Sequence, residues 1–478
     1  MKAEHYVGGV FRSDGPAFPL IAPADGTGLG SVPEAPREVV DGAVAAAREA
    51  LRGAWGATAA EDRAAALRRI ADGIQARFGE FADAEAADTG KPRELAATVD
   101  VPRAVGNFRA YADLLYGRSE RAYTTQIPGW STGTGRALNY TVRRPLGVVA
   151  IISPWNLPLL LLTWKVAPAL AAGNAVVAKP SEETPSTATL LAQVVDEAGL
   201  PPGAFNLVHG HGPDATGAFL TGHPGVDAIA FTGESATGAA IMRNAADHVT
   251  PVSFELGGKN PALVFADADL DAAVDGTVRS SFTHSGQICL CTERVYVERP
   301  VFDEFVARLG AKARALDGYG PMISAGHRDK VLGYYRLARE EGATVVAGGG
   351  APSFGDERDG GFYAEPTVLT GLPETARTVR EEIFGPVCHV APFDTEDEAL
   401  RLANDSPYGL ASTLWTRDLS RAHRVAPRIE TGIVWVNCWN LRDLRTPFGG
   451  VKASGIGREG GEYSLDFFSE HVNVCIQI

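Results

Sequence analysis

Cysteine is scarce in this chain. Five residues (Cys289, Cys291, Cys388, Cys438 and Cys475) are scattered over 478 positions. They are too few and too dispersed for a disulfide framework, which points to a reducing compartment. Cys289-Leu-Cys291 lacks the spacing of a zinc pair and nearby His284 completes no ligand set, so no metal is expected. Basic residues are also in deficit, with 44 Lys and Arg against 58 Asp and Glu and a formal net charge of -14. That balance argues against a nucleic-acid footprint. No apolar run follows the charge in Met1-Lys-Ala-Glu-His, so no signal peptide is read. One stretch, Leu146 to Trp164, carries no charge. It holds Pro154, Asn156 and Pro158 at its centre, which would break a membrane-spanning helix. It reads as a buried strand, a turn and the start of a core helix, and the expected location is the cytoplasm.

What is present is ordinary globular material, 45% hydrophobic and 21% charged. The length exceeds that of a single core, so at least two domains are expected. Residues 37–87 have helical spacing (Val40, Val44, Ala47, Leu51), and 103–115 continue it. Residues 123–142 turn strand-like. Short apolar runs then alternate with helical stretches: 147–152 with 160–170, 175–178 with 188–197, 205–208 with 215–220, and 228–231 with 236–246. Such alternation predicts an α/β fold with a doubly wound parallel sheet. A second series follows Glu255, with strands expected at 262–265, 294–297, 344–347 and 433–437. Gly348–Gly350 and 355–361 read as loops.

Several strand ends carry chemistry. Asn156 follows the strand 148–152, where an amide can polarise a carbonyl oxygen or cap the next helix. Lys179-Pro-Ser-Glu182 ends another strand. Its Lys and Glu suit ribose hydroxyls, the alternative being a surface ion pair. Phe231-Thr-Gly-Glu234 closes a third, with glycine allowing close approach to a pyrophosphate. Glu234 would repel phosphate, so it is expected to point outward or to favour the helix dipole. Glu255-Leu-Gly-Gly-Lys259 offers a general base on a glycine-flanked turn. Ser285-Gly-Gln-Ile-Cys289 offers a thiol nucleophile after a glycine.

Together with Glu381-Glu-Ile-Phe384-Gly-Pro386 and Pro447-Phe-Gly-Gly450-Val-Lys-Ala-Ser-Gly455, these motifs resemble the aldehyde dehydrogenase superfamily from the N-terminal helices to the last strand. The resemblance implies a Rossmann-type nucleotide-binding domain (1–122 and 143–252), an α/β catalytic domain (253–445) and a small oligomerisation sheet (123–142 and 463–478). A homodimer or homotetramer follows. It also implies NAD-dependent oxidation of an aldehyde to a carboxylic acid: Cys289 forms the thiohemiacetal and then the thioester, Asn156 and the Cys289 amide hold the oxyanion, and Glu255 activates water. NAD contacts are implied at Ile152, Ser153, Pro154, Trp155, Lys179, Ser181, Glu182 and Gly212. They continue at Phe231, Thr232, Gly233, Glu234, Leu256, Gly257, Glu382 and Phe384. Glu182 favours NAD over its 2′-phosphate form.

The chain departs from the common Phe-Thr-Gly-Ser-Thr in reading Phe231-Thr-Gly-Glu-Ser235. With Asn437-Cys-Trp-Asn-Leu-Arg442-Asp-Leu-Arg445-Thr-Pro-Phe448, it is similar to the subgroup acting on 2-hydroxymuconic and 2-aminomuconic semialdehydes. Those substrates carry a carboxylate far from the aldehyde, suited to a guanidinium. The expected substrate residues are Arg109 with Arg442, then Arg445, Trp164 and Phe448. Either arginine can instead pair with Asp443 or Asp113. The competing readings are a dehydrogenase for neutral aliphatic or betaine-type aldehydes, and a catalytically silent protein of the same fold.

Overall fold

The computed structural model describes residues 3–127 and 135–478. Part of the strand-like stretch expected at 123–142 (residues 128–134) lies outside them.

The apolar runs after residue 146 become central strands because every side chain along them is buried: Val148–Ile152, Ala175–Lys179 and Ala228–Thr232. Runs apolar on both faces belong in a parallel sheet covered on two sides. Here Phe205–Leu207, Ala175–Lys179, Val148–Ile152, Ala228–Thr232 and Val252–Glu255 lie parallel in that spatial order. His5–Val7 with Val10–Arg12 extends one edge, and Gly455–Ile456 adds antiparallel to the other. Register pairs Ile152 with Lys179, Phe231 with Ile152, and Thr232 with Glu255. Four strands therefore end side by side, as open α/β sheets require for ligand binding.

The helical stretch at 37–87 is three helices, Arg37–Arg52, Ala60–Ala76 and Phe78–Thr89. Val101–Gly117 follows a π-helical turn at Ala96–Asp100 and packs on Ala60–Ala76. The uncharged stretch resolves into the strand Val148–Ile152 and the wholly buried helix Pro158–Ala171. Among the described residues, no helix is long and apolar enough to cross a membrane.

A second sheet of seven strands runs Thr344–Ala347, Thr367–Thr370, Val387–Phe393, Thr292–Glu298, Asn260–Val264, Ala411–Trp415 and Ile433–Val436. All neighbours are parallel except the first pair. Three of these strands were not expected from sequence: Thr367–Thr370, Val387–Phe393 and Ala411–Trp415. Their short mixed runs, with Cys, His, Pro, Ser and Thr among the apolar residues, carry no clear period of their own. Partners on both sides decide them. Ala122–Ile127, Gly135–Pro145 and Ser469–Gln477 form a separate antiparallel sheet. The middle strand runs three residues beyond the expected limit of 142.

Candidate active site

The chain reaches Cys289 through a strained turn. His284 (φ 50°), Ser285 (φ 52°) and Gly286 (φ 72°) are successively left-handed, and non-glycine residues held this way cluster at functional sites. Gly286 is required, since a Cβ there would lie 2.0 Å from the Gly385 carbonyl oxygen. Ser285 Oγ donates to the Gly320 carbonyl (2.5 Å). Gln287 is fully buried: its Nε2 donates to the Pro321 carbonyl (2.9 Å) and its Oε1 accepts from the Ile323 amide (2.9 Å). Asn260 Nδ2 donates to the carbonyls of Cys289 (2.7 Å) and Cys291 (2.8 Å). The thiol so held lines a cavity of about 290 Å³ shared with Asn156, Pro154, Trp155, Leu256 and Gly257. Burial first, then the charges of Glu255 and Glu382, push the Cys289 thiol up to about 12. The resting group is the thiol, and its proton must leave as sulfur attacks.

Asn156 Nδ2 donates one hydrogen to the Gln287 carbonyl (2.8 Å), which leaves its second hydrogen unclaimed. Glu255, at the end of the strand Val252–Glu255, two places along the sheet, is buried with both carboxylate oxygens unpaired. Burial, then the negative charge of Glu459, raise its pKa well above the ordinary carboxylate range. Lys165, Arg442 and Arg458 oppose the shift. Glu459 itself pairs with Lys165, whose side chain is wholly buried. An unpaired, proton-hungry carboxylate whose charge reaches the protonated thiol is suited to receive protons.

The strand ends also present unsatisfied hydroxyls. Ser153 Oγ and Thr232 Oγ1 are buried without partners. Lys179 Nζ is buried and donates to the carbonyls of Pro180 (2.9 Å) and Gly210 (2.6 Å), with half-buried Glu182 at 3.3 Å. Next to it, Ile152 and Gly212 line a second cavity of about 300 Å³. Glu382 accepts from the Gly258 amide (2.7 Å) and lies so close to Gly257 that a Cβ there would meet its oxygen at 2.2 Å. Phe384 is held at φ 60° because Glu293 accepts its amide hydrogen (2.9 Å), and its ring meets Trp155 edge-on at 5.4 Å. Thr232, Gly233 and Glu234 line the first cavity, with Glu234 exposed and making no cap bond. Two expected contacts have partners of their own. Phe231 packs inward against Phe254, and Ser181 Oγ accepts from the Glu183 amide. His327 and Lys330 line the cavity without having been foreseen, since helix Ala325–Glu340 shows no motif.

The expected arginines separate. Arg442 Cζ lies 4.6 Å from the ring centroid of buried Trp164 and 3.9 Å from that of buried Phe448. Its Nε and Nη2, and Trp164 Nε1, are buried without partners. Burial and the charge of Arg103 draw Arg442 down to about 10, while Glu459, Glu255 and Cys289 oppose this. Arg445 instead pairs with Asp443 (2.6 Å) on the surface. Arg109 requires a correction: it is exposed and pairs with Asp72 (3.1 Å) on the outer face of its helix. The arginine of that helix whose charge reaches Arg442 is Arg103, half-buried and without a polar partner among the described residues.

A profile of the Aldehyde dehydrogenase family matches residues 11–474. The chain is 57% identical over 483 residues to 2-aminomuconic 6-semialdehyde dehydrogenase of a Pseudomonas species, covering 99% of this chain and 98% of that one. It is also 57% identical over 488 residues to 2-hydroxymuconic semialdehyde dehydrogenase of Pseudomonas sp. strain CF600, each covered in full. Among solved structures, the NAD+ complex of an aldehyde dehydrogenase from Bacillus cereus superposes with a TM-score of 0.95 at 38% identity, covering 100% of this chain and 97% of that one. With its thiol and its amide lining one cavity, and an unpaired carboxyl near enough for its charge to act on the thiol, the chain belongs to the aldehyde dehydrogenase family.

Proposed function

We propose that this enzyme oxidises a carboxylate-bearing semialdehyde of the 2-hydroxymuconic or 2-aminomuconic type to the corresponding acid. The observation that carries the substrate class is Arg442, packed against two aromatic rings with two buried donor nitrogens unpaired. A buried cation without a counter-ion is costly unless a ligand supplies one. A carboxylate does so with bidentate geometry, and Arg103 adds a second charge. A quaternary ammonium would meet the same two cations as repulsion.

The chemistry follows from the pocket. Cys289 attacks the aldehyde carbon as its proton passes to the Glu255 carboxylate, and the free N–H of Asn156 with the Cys289 amide meets the oxyanion. NAD, when bound, supplies the acceptor for the hydride whose loss leaves a thioester on sulfur. Glu255 gives the thiol's proton up to solvent and, ionised again, takes one from water, whose oxygen attacks the thioester; the acid is released and the departing Cys289 sulfur regains a proton.

The cofactor residues fit the group. The unpaired Ser153 and Thr232 hydroxyls, Lys179 with Glu182 at the strand end, and Glu382 beside Phe384 would hold its two halves. The eight-stranded sheet would serve as the nucleotide domain and the seven-stranded sheet as the catalytic domain. The three-stranded sheet, exposing Tyr123 and Ile476, would pair copies into a dimer or tetramer in the cytoplasm. A steady-state panel of acidic, neutral and cationic aldehydes with NAD tests this reading. An acidic semialdehyde preferred in kcat/KM supports it, and equal use of all three classes rejects it.

A further inference from the structure

Behind the oxyanion position lies a buried charge cluster with no part in the chemistry described so far. Lys91 is wholly buried. Its Nζ donates to Asp100 Oδ2 (2.8 Å), to Glu85 Oε1 (3.2 Å) and to the main-chain carbonyl of Asn156 (3.2 Å). The other oxygen of Glu85 accepts from the Leu159 amide (3.3 Å), at the start of the helix that follows Asn156. Asp100 reaches the cluster because it ends the π-helical turn Ala96–Asp100, a distortion frequent at functional sites. Burial raises both carboxyls and the Lys91 charge pulls them back, so the three groups hold one another. The segment is also locked from outside: at Gly90 (φ 68°) a Cβ would lie 2.4 Å from Pro321 Cγ, and the Pro321 carbonyl is the one that Gln287 Nε2 reaches.

Asn156 is therefore gripped at both ends. Gln287 holds its side-chain amide and Lys91 holds its main-chain carbonyl. We propose that Lys91, anchored by Glu85 and Asp100, is a positioning residue that sets where the free N–H of Asn156 points, and so acts on the carbonyl-addition step without touching substrate. A buried ammonium shared by two carboxylates suits that task, because its position is fixed by opposite charge on two sides and it cannot relax into water. The proposal rests on the reading of Asn156 as oxyanion donor.

The test is pre-steady-state NADH formation with 2-hydroxymuconic semialdehyde, read beside two properties that need no oxyanion: NADH affinity by fluorescence titration and alkylation of Cys289 by iodoacetamide. Asn156→Ala should slow the burst by about 10²–10³-fold. Lys91→Met should slow it by about 10- to 100-fold, the scale of a misplaced group, with affinity and alkylation unchanged. In the Asn156→Ala background Lys91→Met should add nothing, because the two act through one group. The double variant Lys91→Met/Glu85→Gln removes an ammonium together with a carboxylate. It should behave as Lys91→Met does and stands in for it should that variant fail to fold. A Lys91 effect that survives in the Asn156→Ala background, or that lowers alkylation and affinity in step with the burst, overturns the proposal. So does a wild-type burst in Lys91→Met while Asn156→Ala is slow. A wild-type burst in Asn156→Ala instead removes the oxyanion reading itself.

Discussion

The guanidinium carbon of Arg442 lies 3.9 Å from the centroid of the Phe448 ring and 4.6 Å from that of Trp164. The two rings hold a cation within reach of the charges of Glu255 and Cys289 and leave its buried Nε and Nη2 free. Arg442→Ala should lower kcat/KM for an acidic semialdehyde by about 100-fold, the scale of truncating one side of a desolvated charge pair, chiefly through KM. Arg103→Ala should act in the same direction. Arg109→Ala and Arg445→Ala remove exposed, solvent-screened ion pairs, so their kinetics should stay near wild type. Steady-state measurements with acidic and neutral aldehydes check this. An Arg442→Ala loss of equal size on both classes would sink the carboxylate clamp.

Replacing the nucleophile and the base should separate the two halves of the reaction. Cys289→Ala should abolish aldehyde-dependent NADH formation. Glu255→Gln should leave little steady turnover but still allow a stoichiometric acyl-enzyme to accumulate. Mass spectrometry of the intact chain after substrate addition reads that adduct. Full turnover in either variant would remove the corresponding role.

Acid should stop thioester hydrolysis earlier than an ordinary carboxylate would allow. Glu255 is raised by burial and by Glu459, so its carboxyl holds its proton at pH values where a free one has lost it. Water activation needs the ionised form, so turnover should fall as pH drops through a midpoint well above the ordinary carboxylate range. Glu459→Gln removes the nearby negative charge and leaves Lys165 free to favour ionised Glu255. The acid limb of the kcat profile should then move to lower pH. A limb that stays in place, or moves upward, contradicts this electrostatic account.

Cofactor choice should follow Glu182. Its carboxylate, 3.3 Å from Lys179 Nζ at the strand end, would repel a 2′-phosphate bound there. Glu182→Ala should raise kcat/KM with NADP by about tenfold, the effect of relieving roughly 1.4 kcal/mol of like-charge repulsion at a partly exposed site. Saturation kinetics with both cofactors measure it. Equal NAD and NADP use by the unaltered enzyme would end the argument.

The sequence by itself determined the features that depend on neighbours along the chain. Fully apolar runs bounded by glycine and proline became the parallel strands, and Asn156, Lys179, Thr232 and Glu255 sit at their ends because a motif and its strand are contiguous. Tertiary structure decided whatever joins distant segments. Arg103 and Arg109 are both plausible in sequence, but six residues apart they lie about 120° apart around the helix. Only packing against the 442 loop turns one toward the pocket and the other toward Asp72. Lys165 and Glu459 meet across 294 positions. Lys91 reaches Asn156 across 65, a grip that no local pattern encodes because it exists only once burial has removed water from all three of its charges.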